Sequence, residues 1–216
     1  MVDKKKLSCN IDIITFKVDP MIRFYTNREL SHRLGINLAR WKRWSREFLP
    51  PDPLGGMQSG YARQYNPDEA FTVFLGGYLV GNLKFTIPEA RRILADLQVW
   101  LLEHGFYFGM SDSKSDKTRT ITSLNRYRIS IRAVNSHESR HLGFIYSARG
   151  VVAEREREFD GVPVKEQCYV ESRFGLTDAE KENTICASSR VIFITELRDT
   201  FLNRLQAPDP NDGRMR

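Results

Sequence analysis

Cysteine is scarce in this chain: Cys9, Cys168 and Cys186 are its three thiols, far apart and never in a Cys-x-x-Cys spacing. That spacing argues against a disulfide framework or a thiolate zinc site, and the thiols read as buried and inert. Long apolar runs are missing too, none approaching the roughly 18–20 residues that a membrane span needs. The basic start, Met1 to Lys6, does not lead into a signal peptide, because Ser8, Asn10 and Asp12 interrupt the apolar residues that follow. The expected location is therefore cytoplasmic, with no membrane partner. Also lacking are a nucleophile triad, a Gly-x-Gly-x-x-Gly fingerprint and a phosphate loop. The chain accordingly reads as a non-enzyme, with no catalytic residue, no metal and no cofactor expected.

What is present is ordinary globular composition with an uneven charge. Over 216 residues, 33 Lys and Arg stand against 27 Asp and Glu, a net charge of +6. Between residues 23 and 65 the ratio is eight to three, so most of the excess sits in one short stretch. A local positive surface of that kind leaves nucleic acid open as a partner. Further on, Gly109 to Lys117 is polar, rich in Ser and Asp and without apolar period, which reads as a linker. The predicted organisation is an N-terminal arm or strand over 1–19, a first domain over 20–108, the linker over 109–117, a second domain over 118–206 and a flexible tail over 207–216. The fold class expected is α+β in two domains.

Helix starts recur through the first domain. Thr26-x-x-Glu29 is a capping box, Leu30 and Leu34 follow on one face, and Gly35 stops the helix. Asn37 caps a second helix that runs through Arg46 and ends before Pro50-Pro51. Gly60 to Tyr65 reads as a short strand, Asn66-Pro67-Asp68-Glu69 opens a third helix, and Thr86-x-x-Glu89 opens a fourth that runs to about His104. Gly76, Gly77 and Gly81 inside the third helix each cost about 1 kcal/mol against alanine. They call for close helix packing or a break.

Two short helices meeting at a glycine turn have the shape of a helix-turn-helix, whose second helix enters the major groove. On that helix Leu38, Trp41 and Trp44 are spaced to face inward, while Arg40, Lys42, Arg43 and Arg46 supply charge for phosphates and base edges. The plain alternative is a solvated amphipathic helix.

Residues 24–104 resemble the winged helix-turn-helix of the mercury-resistance-regulator (MerR) type of bacterial transcription factor. The resemblance rests on Tyr25 to Ile36 as first helix and turn, Ala39 to Trp44 as recognition helix, Leu49-Pro50-Pro51 leading into the wing, Gly60-Tyr61 with Arg63 and Tyr65, and Leu83 to Leu94. It implies a regulator that binds operator or promoter DNA as a homodimer, with Asn37, Arg40, Lys42, Arg43, Arg46, Tyr61, Arg63 and Tyr65 at the DNA. Lys42 and Arg63 would grip the backbone, while Arg40 and Arg43 are the better candidates for reading bases. The heptads of the family's long coiled coil are missing, so dimerisation is expected through the second domain or the Trp100-Leu101-Leu102 end of the fourth helix. Two alternatives remain: an excisionase-like accessory protein of a phage or plasmid, or a nucleotide or small-molecule sensor acting through protein contacts.

In the second domain, 126–134 alternates as a half-buried strand, with Leu142–Tyr146, Val151–Phe159, Val162–Phe174 and Arg190–Thr195 as further strands, about five in all. Asp160-Gly161 is a hairpin signal. Thr177 to Glu180 starts a short helix, and Glu196–Gln206 is an amphipathic one. His137-Glu138-Ser139-Arg140-His141 matches a zinc-peptidase string but falls between strands, where the two histidines would not share a helix face, so it reads as a polar turn. Glu154-Arg155-Glu156-Arg157-Glu158 reads as a solvated edge strand, with Arg155 and Arg157 as candidates for an anionic effector or nucleotide.

Overall fold

The computed structural model describes residues 24–52, 62–107, 126–135, 142–175 and 188–207, and shows a mixed α+β protein. The expected arm, Tyr61, the linker, the His137–His141 string, the short helix at Thr177 and all of the tail after Ala207 lie outside these residues.

The chain enters through β1 (Tyr25–Thr26) into α1 (Asn27–Leu34). Thr26 and Glu29 form the expected capping box, and Gly35, with φ 66°, closes α1 in the left-handed conformation that glycine adopts without strain. Asn37 then caps α2 (Leu38–Phe48), its side-chain oxygen accepting from the Ala39 and Arg40 amides at 3.0 and 3.3 Å. Next, β2 (Gln64–Tyr65) returns to pair antiparallel with β1, Tyr25 opposite Tyr65. Both α3 (Pro67–Gly81) and α4 (Ile87–Glu103) begin with capping boxes, at Asn66/Glu69 and Thr86/Glu89, each with a proline in the first turn.

Helix α3 runs unbroken through Gly76 and Gly77, and two aromatic rings of α2 occupy the space that side chains there would take. A Cβ on Gly76 would lie 2.5 Å from the Phe48 ring, and one on Gly77 2.3 Å from the Trp44 ring. Close helix packing, not a break, is the reason for the pair.

After α4, the strands β3 (Arg126–Asn135), β4 (Leu142–Phe159), β5 (Val162–Phe174) and β6 (Ser189–Ile192) form an antiparallel sheet in the order β5-β4-β3-β6, followed by α5 (Ile194–Gln206). The two strands expected at Leu142–Tyr146 and Val151–Phe159 are one. Gly150, which punctuates that sequence like a turn, instead makes room for the Tyr127 ring, 2.3 Å from where its Cβ would stand. A register shift between Val151 and Ala153 is all that interrupts the ladder with β5. At Asp160 and Gly161, φ values of 50° and 77° make the tight hairpin turn. Strand β6 stops earlier than its apolar run, since Ile194 and Thr195 already belong to α5.

Side chains from all of these elements meet in one core. Phe201 of α5 packs on Phe71 and Phe74 of α3 at 5.3 and 5.4 Å between ring centroids, and Phe85 meets Phe144 at 5.8 Å. Polar ties reinforce the junction. Arg204 donates to the Leu34 carbonyl at 2.7 Å, Arg33 to the Leu205 and Ala207 carbonyls at 3.0 and 2.6 Å, and the Tyr146 hydroxyl to Asp96 of α4 at 2.6 Å. The two arginines fill carbonyls at the C-terminal ends of α1 and α5 that have no partner within their own helices. Trp100 and Leu101 are also core residues, which leaves only Leu102 of that expected dimer contact at the surface.

Candidate nucleic-acid interface

Helix α2 is held on three sides by residues chosen for fit. Trp41 is fully buried and meets the Tyr65 ring edge-on at 5.8 Å. One turn on, the Ser45 hydroxyl is 2.7 Å from the Tyr65 hydroxyl, which in turn donates to Asn27 of α1 at 2.7 Å. Burial holds the Tyr65 phenol above its ordinary pKa, against the opposing pull of Ser45 and Arg63. Trp44 and Phe48 complete the inner face against the two glycines of α3.

With Trp41, Ser45 and Phe48 turned inward, helical geometry sends Lys42, Arg43 and Arg46 outward, and all three are exposed. None forms an ion pair with another described residue. The one acid of α2, Glu47, is occupied: Arg91 of α4 bonds its carboxylate and donates through Nε to its carbonyl at 2.7 Å. A stripe of three cations on one exposed helix face thus meets no countercharge among the described residues, and a phosphate backbone is a natural complement to it.

Arg40 stands apart from the stripe. Its guanidinium lies 6.0 Å from the Trp44 ring centroid, at the mouth of a cavity of about 450 Å³ bounded also by Gly35, Tyr78, Glu196 and Arg204. Asn37 is exposed, but its side-chain oxygen is spent on the helix cap.

The wing residues are structural ties. Arg63 donates to the Pro50 carbonyl at 2.9 Å and to the Glu69 carboxylate at 3.3 Å, so it fastens the exit of α2 to the start of α3 and is committed there rather than open to a backbone phosphate. Tyr65, only 1% exposed, stands behind the surface as a core residue. Their aromatic and cationic types signal a nucleic-acid wing in sequence; only the partners, distant along the chain, show that both are engaged. The Glu47–Arg91 tie left no sequence signal, since its members are 44 residues apart.

On the sheet, Arg155 stands opposite Glu166, and Arg157 pairs with the same carboxylate at 3.1 Å on an open strand surface. An anion there would compete with Glu166. Among the described residues no group of three His, Cys, Asp or Glu side chains could hold a metal ion, and no helix is long and apolar enough to cross a membrane. No protein-family model matches the chain, and no curated protein matches it significantly.

Proposed function

We propose that the chain is a DNA-binding transcriptional regulator, in which α1, the Gly35 turn and α2 form a helix-turn-helix. Helix α2 is the recognition helix, placed in the major groove with its exposed face toward the bases. The observation that carries this reading is the uncompensated stripe of Lys42, Arg43 and Arg46 on a helix whose opposite face is locked by Trp41, Ser45 and Phe48. A rigid backing matters, because base recognition needs side chains held in a fixed register while phosphate contacts set that register.

Lys42 and Arg46 serve as phosphate contacts and Arg43, central on the exposed face, reads a base edge; Arg40 flanks it from beside Trp44. Selection of genomic DNA fragments with the purified chain, at two salt concentrations, tests this. The wild type enriches discrete promoter fragments, while the Lys42→Ala/Arg43→Ala double variant loses the enrichment and its salt slope falls by about 1 unit, for the one phosphate contact removed. Equal, weak and salt-labile retention of DNA by both proteins would overturn the reading.

A further inference from the structure

The sheet has two unlike faces. Alternation along the strands sends Tyr127, Ile129 and Ile131 of β3 and Tyr146 of β4 toward the helices, where Tyr127 meets Trp100 edge-on at 5.4 Å and Tyr146 reaches Asp96. The opposite face carries Arg126, Arg128 and Arg132 from β3, Arg149 from β4 and Arg173 from β5, and in these rows Glu171 is its one acid. All five cations are arginines, whose planar fork matches phosphate oxygens and stacks on aromatic rings.

Arg128 lies directly opposite Arg149, and like charges in that position destabilise a sheet. Arg126, Arg128 and Arg132 form no ion pair with another described residue, and the buried Nε of Arg149 has no hydrogen-bond partner among them. Glu171 relieves little of this charge, since its Oε1 already accepts from Arg173 at 3.0 Å and from Ser147 at 2.9 Å. Along β3 the arginines extend over about 20 Å at ~3.4 Å per residue. Past the register shift of β4 the same face turns to Glu154, Glu156 and Glu158, which ends the positive run. A polyanion laid along β3 would remove the repulsion between the arginines.

Tyr169 makes the complement more specific than charge alone. The Arg149 guanidinium lies 3.3 Å from its ring centroid, and the residue is still 52% exposed. A ring and a guanidinium stacked at the surface offer a platform to an unpaired base, which an acidic peptide has no planar group to use. A DNA duplex keeps its bases stacked, and its major groove admits a helix or a two-stranded ribbon, not the face of a sheet three or four strands wide. A single strand follows the arginines with its backbone and turns a base onto Tyr169.

We propose that this face binds single-stranded RNA, with the arginines on phosphates, a base on the Arg149–Tyr169 platform and a ribose 2′-hydroxyl donating to Oε2 of Glu171. That oxygen accepts from no described residue. A carboxylate among phosphate-binding arginines repels a DNA strand, whose sugar has no 2′-hydroxyl to donate, whereas RNA supplies the donor. The proposal does not rest on the reading of α2 as a duplex-DNA helix.

Fluorescence anisotropy of the full chain with a labelled eight-residue oligouridylate and with its deoxy counterpart reads the outcome. The wild type binds the ribo strand more tightly than the deoxy strand. Arg128→Thr/Arg132→Thr lowers the salt slope for RNA by about 1.4, roughly 0.7 for each phosphate contact on a single strand. Because that variant also removes the opposed arginines and threonine favours strands, its melting temperature without RNA does not fall, which separates lost binding from lost folding. Tyr169→Ala weakens binding roughly 5- to 150-fold, while Tyr169→Phe keeps it, since stacking needs the ring and not the hydroxyl. Lys42→Ala/Arg43→Ala retains the RNA whatever its effect on duplex DNA, so the two readings fail separately. Equal affinity for the ribo and deoxy strands, an unchanged salt slope in the arginine variant, or full affinity in Tyr169→Ala would each overturn the proposal.

Discussion

At Gly77 a single missing methyl group decides where helix α2 sits. The Trp44 ring lies where a Cβ would stand, with two ring atoms at 2.3 Å, and Phe48 does the same at Gly76. Helix propensity alone would reward alanine at either position by about 1 kcal/mol, whereas forcing volume into a packed contact costs about 1–3 kcal/mol. Packing wins here because the neighbour is the rigid body of an indole rather than the end of a flexible chain. Gly77→Ala should therefore lower stability by about 1–2 kcal/mol in urea unfolding and displace Trp44, seen as a shift in tryptophan fluorescence. Gly81 provides the contrast within the same helix, since its Cβ would meet Trp44 at 3.9 Å, an ordinary contact. Gly81→Ala is expected to stabilise by a few tenths of a kcal/mol, up to about 1. If the two substitutions shift stability in the same direction, the close approach of α2 and α3 is not what the first glycine serves.

Helix α2 as an element depends on its first turn, which Asn37 caps. Its side-chain oxygen accepts from two amides that would otherwise face solvent without a helical partner. Asn37→Ala is expected to cost about 1 kcal/mol of stability, while Asn37→Ser, which retains a capping oxygen, should cost only a few tenths. If Asn37 acts through the cap alone, the serine variant also keeps the DNA affinity of the wild type; a loss of affinity at unchanged stability in fluorescence anisotropy would give Asn37 a direct contact. The helix starts were legible in the sequence because capping boxes are local: Thr26 with Glu29, Asn66 with Glu69 and Thr86 with Glu89 each lie three residues apart. What the local pattern hid was the use made of each residue. Arg63 and Tyr65 carry the side chains of a DNA wing, yet their partners Glu69, Ser45 and Asn27 come from three helices. Similarly, Gly150 looked like a boundary because the ring that needs its space, Tyr127, is on another strand.

Across the whole molecule, two buried tyrosines, Tyr65 and Tyr146, and the partly buried Tyr107 link the parts of the core and share one electrostatic consequence. Tyr65 joins α2 to α1, Tyr107 reaches Thr72 of α3 at 3.4 Å, and Tyr146 ties the sheet to α4. Burial, the leading cause for each, raises all three phenols above the ordinary value of 10.0, and at Tyr146 the neighbouring Asp96 carboxylate adds to the rise. The sign follows directly: below pH 10 both folded and unfolded chains hold these protons, so the phenols leave stability unchanged. Above pH 10 the unfolded chain releases protons that the folded chain keeps, and stability falls by about 1.4 kcal/mol per pH unit for each tyrosine. Each contribution continues until that tyrosine's own folded pKa is reached. Because Phe71, Phe74 and Phe201 join the N-terminal helices to α5 while Tyr146 joins the sheet to α4, the loss is expected as one cooperative transition. Urea unfolding from pH 9 to 11, followed at once by tyrosine absorbance and far-ultraviolet circular dichroism, checks both points. Tyr146→Phe should flatten the slope. Two separated transitions would mean that the helices and the sheet share a core without sharing cooperativity, and that the linker region between α4 and β3 divides the chain energetically as it does in composition.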